Sequence, residues 1–376
     1  MMIELRKGDF RISDIETKAI RVNHRGNWIH VIVHTDEGFT GLGEASHSGS
    51  DACLCQTVEQ LKQLLIGRDG SRIEAVLNEF SRPRVDRVTQ TALSGIEQAL
   101  WDILGQRLGV PIHVLFGGNI RDRIRLYANI NRHVTDRSPE GFALAAEMAV
   151  RDGFTAIKLA PFDELAAPDR IRTGPRASWR RGVERVLAVR SAIGPEVELA
   201  VDCHCRMEAS EAIVVGKALL DCELFWFEEP VSHIFPEQLA RVTSEVPMPV
   251  ASCEGILSLE ALQPCLAPGV LDVIMPDLKH VGGLLEMKRI AGAARMAHIL
   301  VSPHNPAGPV ATAASAQVMS TVSNFMILEY AWGEADWRAQ LLDPPEQIED
   351  GYLVLPKDPG LGHRLNPSVA ETHREH

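Results

Sequence analysis

No apolar run in this 376-residue chain approaches the length needed to cross a bilayer. Lysine and arginine form no stripe, and 38 of them stand against 50 acids for a formal net charge of −12, which argues against a polyanionic partner such as nucleic acid. Low-complexity and linker tracts are missing, and the N-terminus lacks the basic, apolar, small-residue order of a signal peptide. The seven cysteines are an odd number and cannot all pair, so free thiols in a reducing cytoplasm are the expectation. These exclusions leave a soluble protein acting on a small molecule, with chain enough for two or three domains or one large α/β barrel.

What is present falls into two patterns. The first third opens with "DIETKAIRV" and "WIHVIVHTDEGFTGLGEA", alternating apolar runs punctuated by turn residues, which read as a small antiparallel meander. Helical periodicity follows in "QTVEQLKQLLIG" and "QTALSGIEQALWDILGQRLGVPI". Residues 1–123 are therefore read as an α+β unit. From residue 124 short apolar strands alternate with amphipathic helices: "IRLYANI", "AIKLA", "VELAVD", "LFWFEEP", "PVASCE", "DVIMPD", "ILVSPH" and "FMILEY". Eight such strands predict a closed (β/α) barrel over residues 124–342. Residues 343–376 read as Pro/Gly-punctuated extended chain that packs back on the first unit.

The stretch "VDCHCRM" at 201–207 resembles a zinc cluster at first sight, but Cys/His zinc sites space their ligands at a turn and draw a second pair from elsewhere. The preceding "EVELAV" reads as a strand. Strand alternation then puts Asp202 and His204 on one face, with Cys203 and Cys205 turned to the surrounding helices as small core residues. Asp202 also opens a ladder: Asp202, Glu228, Glu254, Asp277, His304 and Glu329 close successive strands at intervals of 23 to 27 residues, one βα unit each. In βα barrels the C-terminal strand ends converge on one pocket, where charged groups are costly unless paired or bound to metal. A lone acid there is usually a salt bridge or helix cap. Three in phase on neighbouring strands, Asp202, Glu228 and Glu254, make a hard-oxygen set suited to Mg²⁺. His304 and Asp277 end adjacent strands, and a carboxylate on one imidazole nitrogen leaves the other as a base.

Taken together, Lys158, Asp202, "FEEP" at 227–230, Glu254, "MPDLKHVGG" at 275–283, "SPHNPAGP" at 302–309, Glu329 and the N-terminal "ALWDILGQRLGVPIHVLFGG" resemble the enolase superfamily in its mandelate racemase branch, over almost the whole chain. The resemblance implies an α/β fold, a modified TIM barrel (β/α)₇β with an N-terminal α+β capping domain, assembled as a homo-oligomer. It also implies Mg²⁺-assisted removal of the proton α to a carboxylate, with the first Glu of "EEP", Glu228, as ligand. The K-x-K motif of the racemases reads Lys158, Leu159, Ala160 here, so the second base is missing, while Lys158 remains as an electrostatic aid or weaker base. The D-x-H motif of related sugar-acid dehydratases is matched by Asp202, Cys203 and His204, which implies His204 as a general acid.

The expected reaction follows. His304, poised by Asp277, removes the C2 proton of an aldonate or aldarate; Glu329 and Lys158 stabilise the enediolate; His204 protonates the departing 3-hydroxyl, giving a 2-keto-3-deoxy acid. Two alternatives are a racemase or epimerase using Lys158 and His304 on opposite faces, and a noncatalytic ligand-binding relative. Capping loops and the barrel rim usually set specificity, so Arg25 and Trp28 in "NHRGNW", His47 in "SHSGSD" and Trp332 in "AWGEADW" are expected substrate contacts, with residues 161–179 overhanging the site.

Overall fold

A computed structural model describes residues 10–80, 85–166 and 178–375. The alternating runs of the first third form an antiparallel sheet of β1 (Ile12–Asn23), β2 (Gly26–Thr35) and β3 (Thr40–Glu44), in that order. Helices α1 (Asp51–Leu65), α2 (Ile73–Asn78) and α3 (Arg87–Leu108) complete this layer. Ser50 and Asp86 start α1 and α3 by accepting hydrogen bonds from Cys53 N and Thr89 N, the usual service of short polar side chains to orphan helix donors. Ile15, Val31 and Val33 of the sheet bury against Leu54, Leu61, Ile96 and Leu100 of the helices.

A short α4 (Ile112–Leu115) leads into the barrel. Its strands are β4 (Arg123–Asn129), β5 (Ala156–Leu159), β6 (Glu198–Asp202), β7 (Trp226–Glu228), β8 (Val250–Ser252), β9 (Val273–Ile274), β10 (Leu300–Val301) and β11 (Leu328–Tyr330). Neighbours pair in chain order, β11 pairs in parallel with β4, and Phe325 bridges Val301 of β10, so the sheet closes. Helices α5 (Pro139–Arg151), α6 (Arg180–Ile193), α7 (Ala209–Ala218), α8 (Pro236–Glu245), α9 (Leu259–Leu262), α10 (Leu284–Met296) and α11 (Pro309–Met319) each follow one of the first seven strands. The eighth strand passes instead into the C-terminal segment, which makes the barrel (β/α)₇β.

Strand alternation sorts the barrel into layers. Ala156, Ala200, Ala251 and Val273 fill the interior with Tyr127 and Trp226, the large rings compensating for the small neighbours. Leu199, Val201, Phe227 and Val250 face outward under the helices. The pairing is shorter than the apolar runs predict. It stops at Ser252, Ile274 and Val301, so Glu254, Asp277 and His304 lie two to three residues beyond the paired strands and not at their last positions. A left-handed Cys253 (φ 83°) turns the chain out of β8 just before Glu254. Beyond residue 343 the chain meets both layers: Tyr352–Val354 pairs antiparallel with β4, while Arg21 N donates to His373 O and Glu375 N to Ala19 O along β1.

Candidate active site

Asp202 shares the inward face of β6 with Ala200 and is paired in register with Glu228 of β7. Together with Glu254 they place carboxylate oxygens within 4.8 Å of one another. Lys158, fully buried on β5, sends Nζ to 2.6 Å from Glu228 Oε1, 3.2 Å from Glu329 Oε1 and 3.7 Å from Asp202 Oδ2. Trp226 Nε1 donates to Glu228 Oε2 at 2.8 Å. One oxygen, Glu254 Oε2, accepts no hydrogen bond from the described residues and stands 3.2 Å from His304 Nε2.

The electrostatics reflect this crowding. Burial and the Asp202 charge push Glu228 up to about 8, against the pull of Lys158, and burial also raises Glu254. For Asp202 burial acts upward too, but the charges of His204 and Lys158 outweigh it and hold the carboxyl low. Lys158 is kept protonated far above the usual lysine range, burial being overcome by Glu228 and Glu329. Glu329 is itself saturated: Asn129 Nδ2 donates to Oε1 at 2.6 Å and Asn305 N to Oε2 at 2.7 Å. With Lys158 nearby it is held as a carboxylate despite its burial.

On one side of the acids stands His304, whose Nδ1 lies 2.8 Å from Asp277 Oδ2. Burial would depress this imidazole, but Glu254 and Asp277 raise it above the ordinary histidine value. The buried Lys279, unforeseen from the sequence, grips both Asp277 oxygens at 2.8 and 2.9 Å and keeps that carboxyl ionised against its burial. On another side stands His204, with Nε2 3.0 Å from Asp202 Oδ2 and Nδ1 2.6 Å from Asp163 Oδ1. Asp163 carried no signal in the sequence: it is the first of two adjacent acids, Asp163 and Glu164, in the turn after β5. It belongs to the segment expected to overhang the site, of which residues 167–177 lie outside the described residues.

The strand-parity reading of "VDCHCRM" needs correction. The strand ends at Asp202, and His204 (φ 46°) and Cys205 (φ 53°) both adopt left-handed backbone, so alternation does not extend through them. Cys203 is buried in the core under the helices as expected, but Cys205 turns to Glu229 and its Sγ donates to Oε2 at 2.6 Å. The described cysteines are free thiols.

The expected substrate contacts divide. His47 sits in the loop after β3, with Nε2 3.2 Å from an Arg132 guanidinium nitrogen; burial, Arg132 and Lys279 press its pKa down to about 3, so the ring is neutral. Arg25 donates to Asn131 O at 3.1 Å, reaching the loop after β4. Trp28 and Trp332 do not match the expectation, because neither offers a free face to a ligand. Trp28 is fully buried among Ile20, Leu341 and Ala370, edge-on to Trp337 at 5.4 Å. Trp332 is buried with its Nε1 donating to Asp152 Oδ2 at 2.8 Å and its ring edge-on to His133.

Comparison with known proteins identifies the family. Residues 13–117 match the mandelate racemase/muconate lactonizing enzyme N-terminal domain, and residues 142–369 match the enolase C-terminal domain-like model. The chain belongs to this family of the enolase superfamily. It is 32% identical over 379 residues to a D-xylonate dehydratase of Haloferax volcanii, covering 97% of this chain and 89% of that protein. A D-galactonate dehydratase of Ralstonia pickettii is 34% identical, with 91% and 90% covered. A D-gluconate dehydratase of Thermoproteus tenax is 30% identical, with 92% of this chain and 69% of that one covered. Among solved structures, an enolase superfamily member from Salmonella Typhimurium superposes with a TM-score of 0.86 at 28% identity, covering 97% of this chain and 98% of that one.

As a member of this family the chain carries an acidic triad able to bind a divalent metal, and the residues fit such an ion. The three donors are hard oxygens, their mutual repulsion shows in the raised Glu228 and Glu254, and one oxygen of Glu254 has no hydrogen-bond donor among the described residues. A cation among them would relieve the repulsion and engage the open oxygen at once.

Proposed function

We propose that this chain is a Mg²⁺-dependent dehydratase of aldonic acids, working in the cytoplasm as a homo-oligomer. The observation that carries the activity is the pairing of two histidines about the acidic triad. Each turns Nε2 toward a different triad carboxylate, Asp202 for His204 and Glu254 for His304, and each has Nδ1 engaged by an aspartate. Two imidazoles so held can act as base and acid on adjacent substrate carbons. The names of the relatives support the aldonate class, and the free thiols suit a reducing compartment.

Asp202, Glu228 and Glu254 would hold the ion, which when bound supplies positive charge to the substrate carboxylate and to the enediolate formed from it. His304 Nε2 takes the C2 proton, with Asp277 and Lys279 fixing its other nitrogen. Lys158, held protonated among Glu228, Glu329 and Asp202, contributes positive charge close to the developing oxyanion. Glu329 is better read as the counter-ion of Lys158 than as an independent stabiliser, since its oxygens are already saturated. His204 Nε2 gives its proton to the C3 hydroxyl as the C3–O bond breaks, water leaves, and the enol tautomerises to the 2-keto-3-deoxy acid.

The racemase reading loses support from the same contacts. A lysine pinned by three carboxylates and strongly protonated is a poor base, and Ala160 offers none. The test is to incubate the protein with Mg²⁺ and D-xylonate, D-galactonate or D-gluconate and assay for 2-keto-3-deoxy acid. His204→Asn should lower dehydration by about 10²- to 10⁴-fold while C2 proton exchange with solvent deuterium persists. Inverted substrate with no keto acid would refute the dehydratase reading.

A further inference from the structure

Asp163 stands outside the strand-end ladder, yet it touches a histidine of the reaction. We propose that Asp163 and Arg137 are positioning residues for the acid step, holding the His204 ring so that Nε2 faces the departing 3-hydroxyl. The inference rests on the reading of His204 as the general acid.

His204 needs such a hold. It lies two residues past the end of β6 in left-handed backbone, where Cys203 N and Cys205 N on either side donate to Glu228 O and Glu229 O; these contacts fix the main chain but do not set the rotation of the ring. Its side chain is 32% exposed, so packing does not immobilise the ring either. The torsion that swings an imidazole about Cβ–Cγ is broad, and a flip of the ring exchanges a nitrogen for a carbon at the reacting position. The hydrogen bond from Nδ1 to Asp163 Oδ1 at 2.6 Å removes that freedom. Asp163 is in turn tied by its other oxygen, which accepts from Arg137 at 3.1 Å.

Arg137 is anchored on all sides. It donates to Asn131 Oδ1 at 2.8 Å and to Ala160 O at 2.5 Å, its own carbonyl accepts from Arg185 Nε at 2.7 Å, and its guanidinium lies over the Phe142 ring at 5.0 Å. The path from Asn131 through Arg137 and Asp163 to His204 thus crosses the loops after β4, β5 and β6 and ends at a triad carboxylate. A carboxylate serving only to brace its own turn would have no reason to make its shortest contact with an imidazole that the loop after another strand presents.

Asp163→Ala, Arg137→Met and His204→Asn are compared as full-length Mg²⁺-loaded proteins on whichever of the three aldonates the wild type dehydrates. Asp163→Ala should lose about 10²-fold in keto-acid formation, the lower range for a displaced general acid, with C2 deuterium exchange within about threefold of wild type. Arg137→Met, one contact farther away, should lose about tenfold. The 3-deoxy-3-fluoro analogue separates the steps: C2 deprotonation is still required, but fluoride departs with the C3–F electron pair and needs no proton. Fluoride release should therefore survive in Asp163→Ala and in His204→Asn.

If His204→Asn keeps dehydrating, the reading of His204 as acid fails and the inference with it. Wild-type dehydration in Asp163→Ala beside an inactive His204→Asn sinks the inference and leaves that reading intact. Equal loss of dehydration, exchange and fluoride release in Asp163→Ala would mean an ordinary structural role and would also sink it. Long-range ¹⁵N–¹H spectra of the substrate-free protein give a second readout: the Nδ1 proton of His204 should be moved strongly downfield by its short bond to Asp163 in wild type and lose that shift in Asp163→Ala, and an unchanged signature would overturn the proposal.

Discussion

Glu44, Glu97 and Asp102 of the capping layer are as buried as Asp202 and Glu228 of the barrel, but their surroundings differ in kind. Each capping-layer acid is saturated by neutral donors. Glu44 accepts from Ser46 Oγ, Gly308 N and Ala311 N; Glu97 from Leu284 N, Leu285 N and Trp101 Nε1; Asp102 from Leu42 N and Leu361 N. Two of them sit at the N-termini of α10 and α11, helices that have no side-chain cap of their own and present a positive end. Glycine makes the approach possible: a Cβ at Gly283 would overlap Glu97 Oε2, and one at Gly308 would come within 2.7 Å of Glu44 Oε2. The barrel acids have cations and one another for company, and one oxygen is left over. Neutral saturation makes a carboxylate structural, whereas shared cations and an open oxygen make it ready for a metal.

The first set also serves the second. Glu44 clamps the segment that follows His304, and Ser94 Oγ, donating to Leu278 O at 2.6 Å, clamps the one that carries Asp277. The cap therefore holds the two loops on which the His-Asp pair depends.

The sharpest way to break the comparison is to neutralise one acid from each set. Glu254→Gln should lower dehydration by at least about 10³-fold, the scale of losing several kcal/mol of charge stabilisation. It should leave thermal stability unimpaired, because burial already disfavours the ionised form of Glu254. Wild type in Mg²⁺ at about 100 times the Kd should gain roughly 2.7 kcal/mol, seen as a raised Tm, and the variant should lose that gain. Next in size, Glu44→Ala should do the reverse. It strands two backbone N–H groups and a hydroxyl in a buried seam, at a cost of about 3 kcal/mol in urea unfolding, with a several-fold loss of activity as the His304 loop loosens. Equal stability losses in the two variants would erase the distinction.

How much of this was legible depended on whether the determinant is periodic. The strand-end ladder from Asp202 to Glu329 shows in one dimension because each βα unit consumes a similar length, and the eight strands followed from the same rhythm. The shortening of β8 to β10 did not, since pairing ends where the chain turns and Cys253 bears no mark of its left-handed backbone. Cys205 failed for the same reason. Asp163 and the helix-capping roles of Glu44 and Glu97 were invisible: their partners are 41 residues away for Asp163 and up to 267 away for Glu44, and no local pattern encodes a contact at that separation. Lys279 was missed for another reason: its partner Asp277 is only two residues away, but the chain has left the strand there and no periodicity turns the two side chains together. Trp28 was read as a rim residue because its loop is polar, whereas the fold buries the ring against the C-terminal segment.

The smallest effect probes the seam through pH. Burial pushes Glu97 up to about 7 from an ordinary 4.5, despite its three donors. The folded state therefore keeps a proton between these values that the unfolded chain has released, so stability falls as pH rises through that window and levels off above it. Asp102, raised to about 6 by burial, adds to the same slope. The steepest contribution of one such group is about 1.4 kcal/mol per pH unit. Glu97→Gln removes the slope but turns an amide NH₂ toward one of the α10 N–H groups, a loss of about 1 to 2 kcal/mol. Urea unfolding should then find the variant weaker than wild type at pH 5 and equal to or stronger than it at pH 8, where wild type carries the buried charge. A gap that stays constant with pH would mean that Glu97 does not titrate in this range, and that its backbone donors offset burial as fully as a cation would.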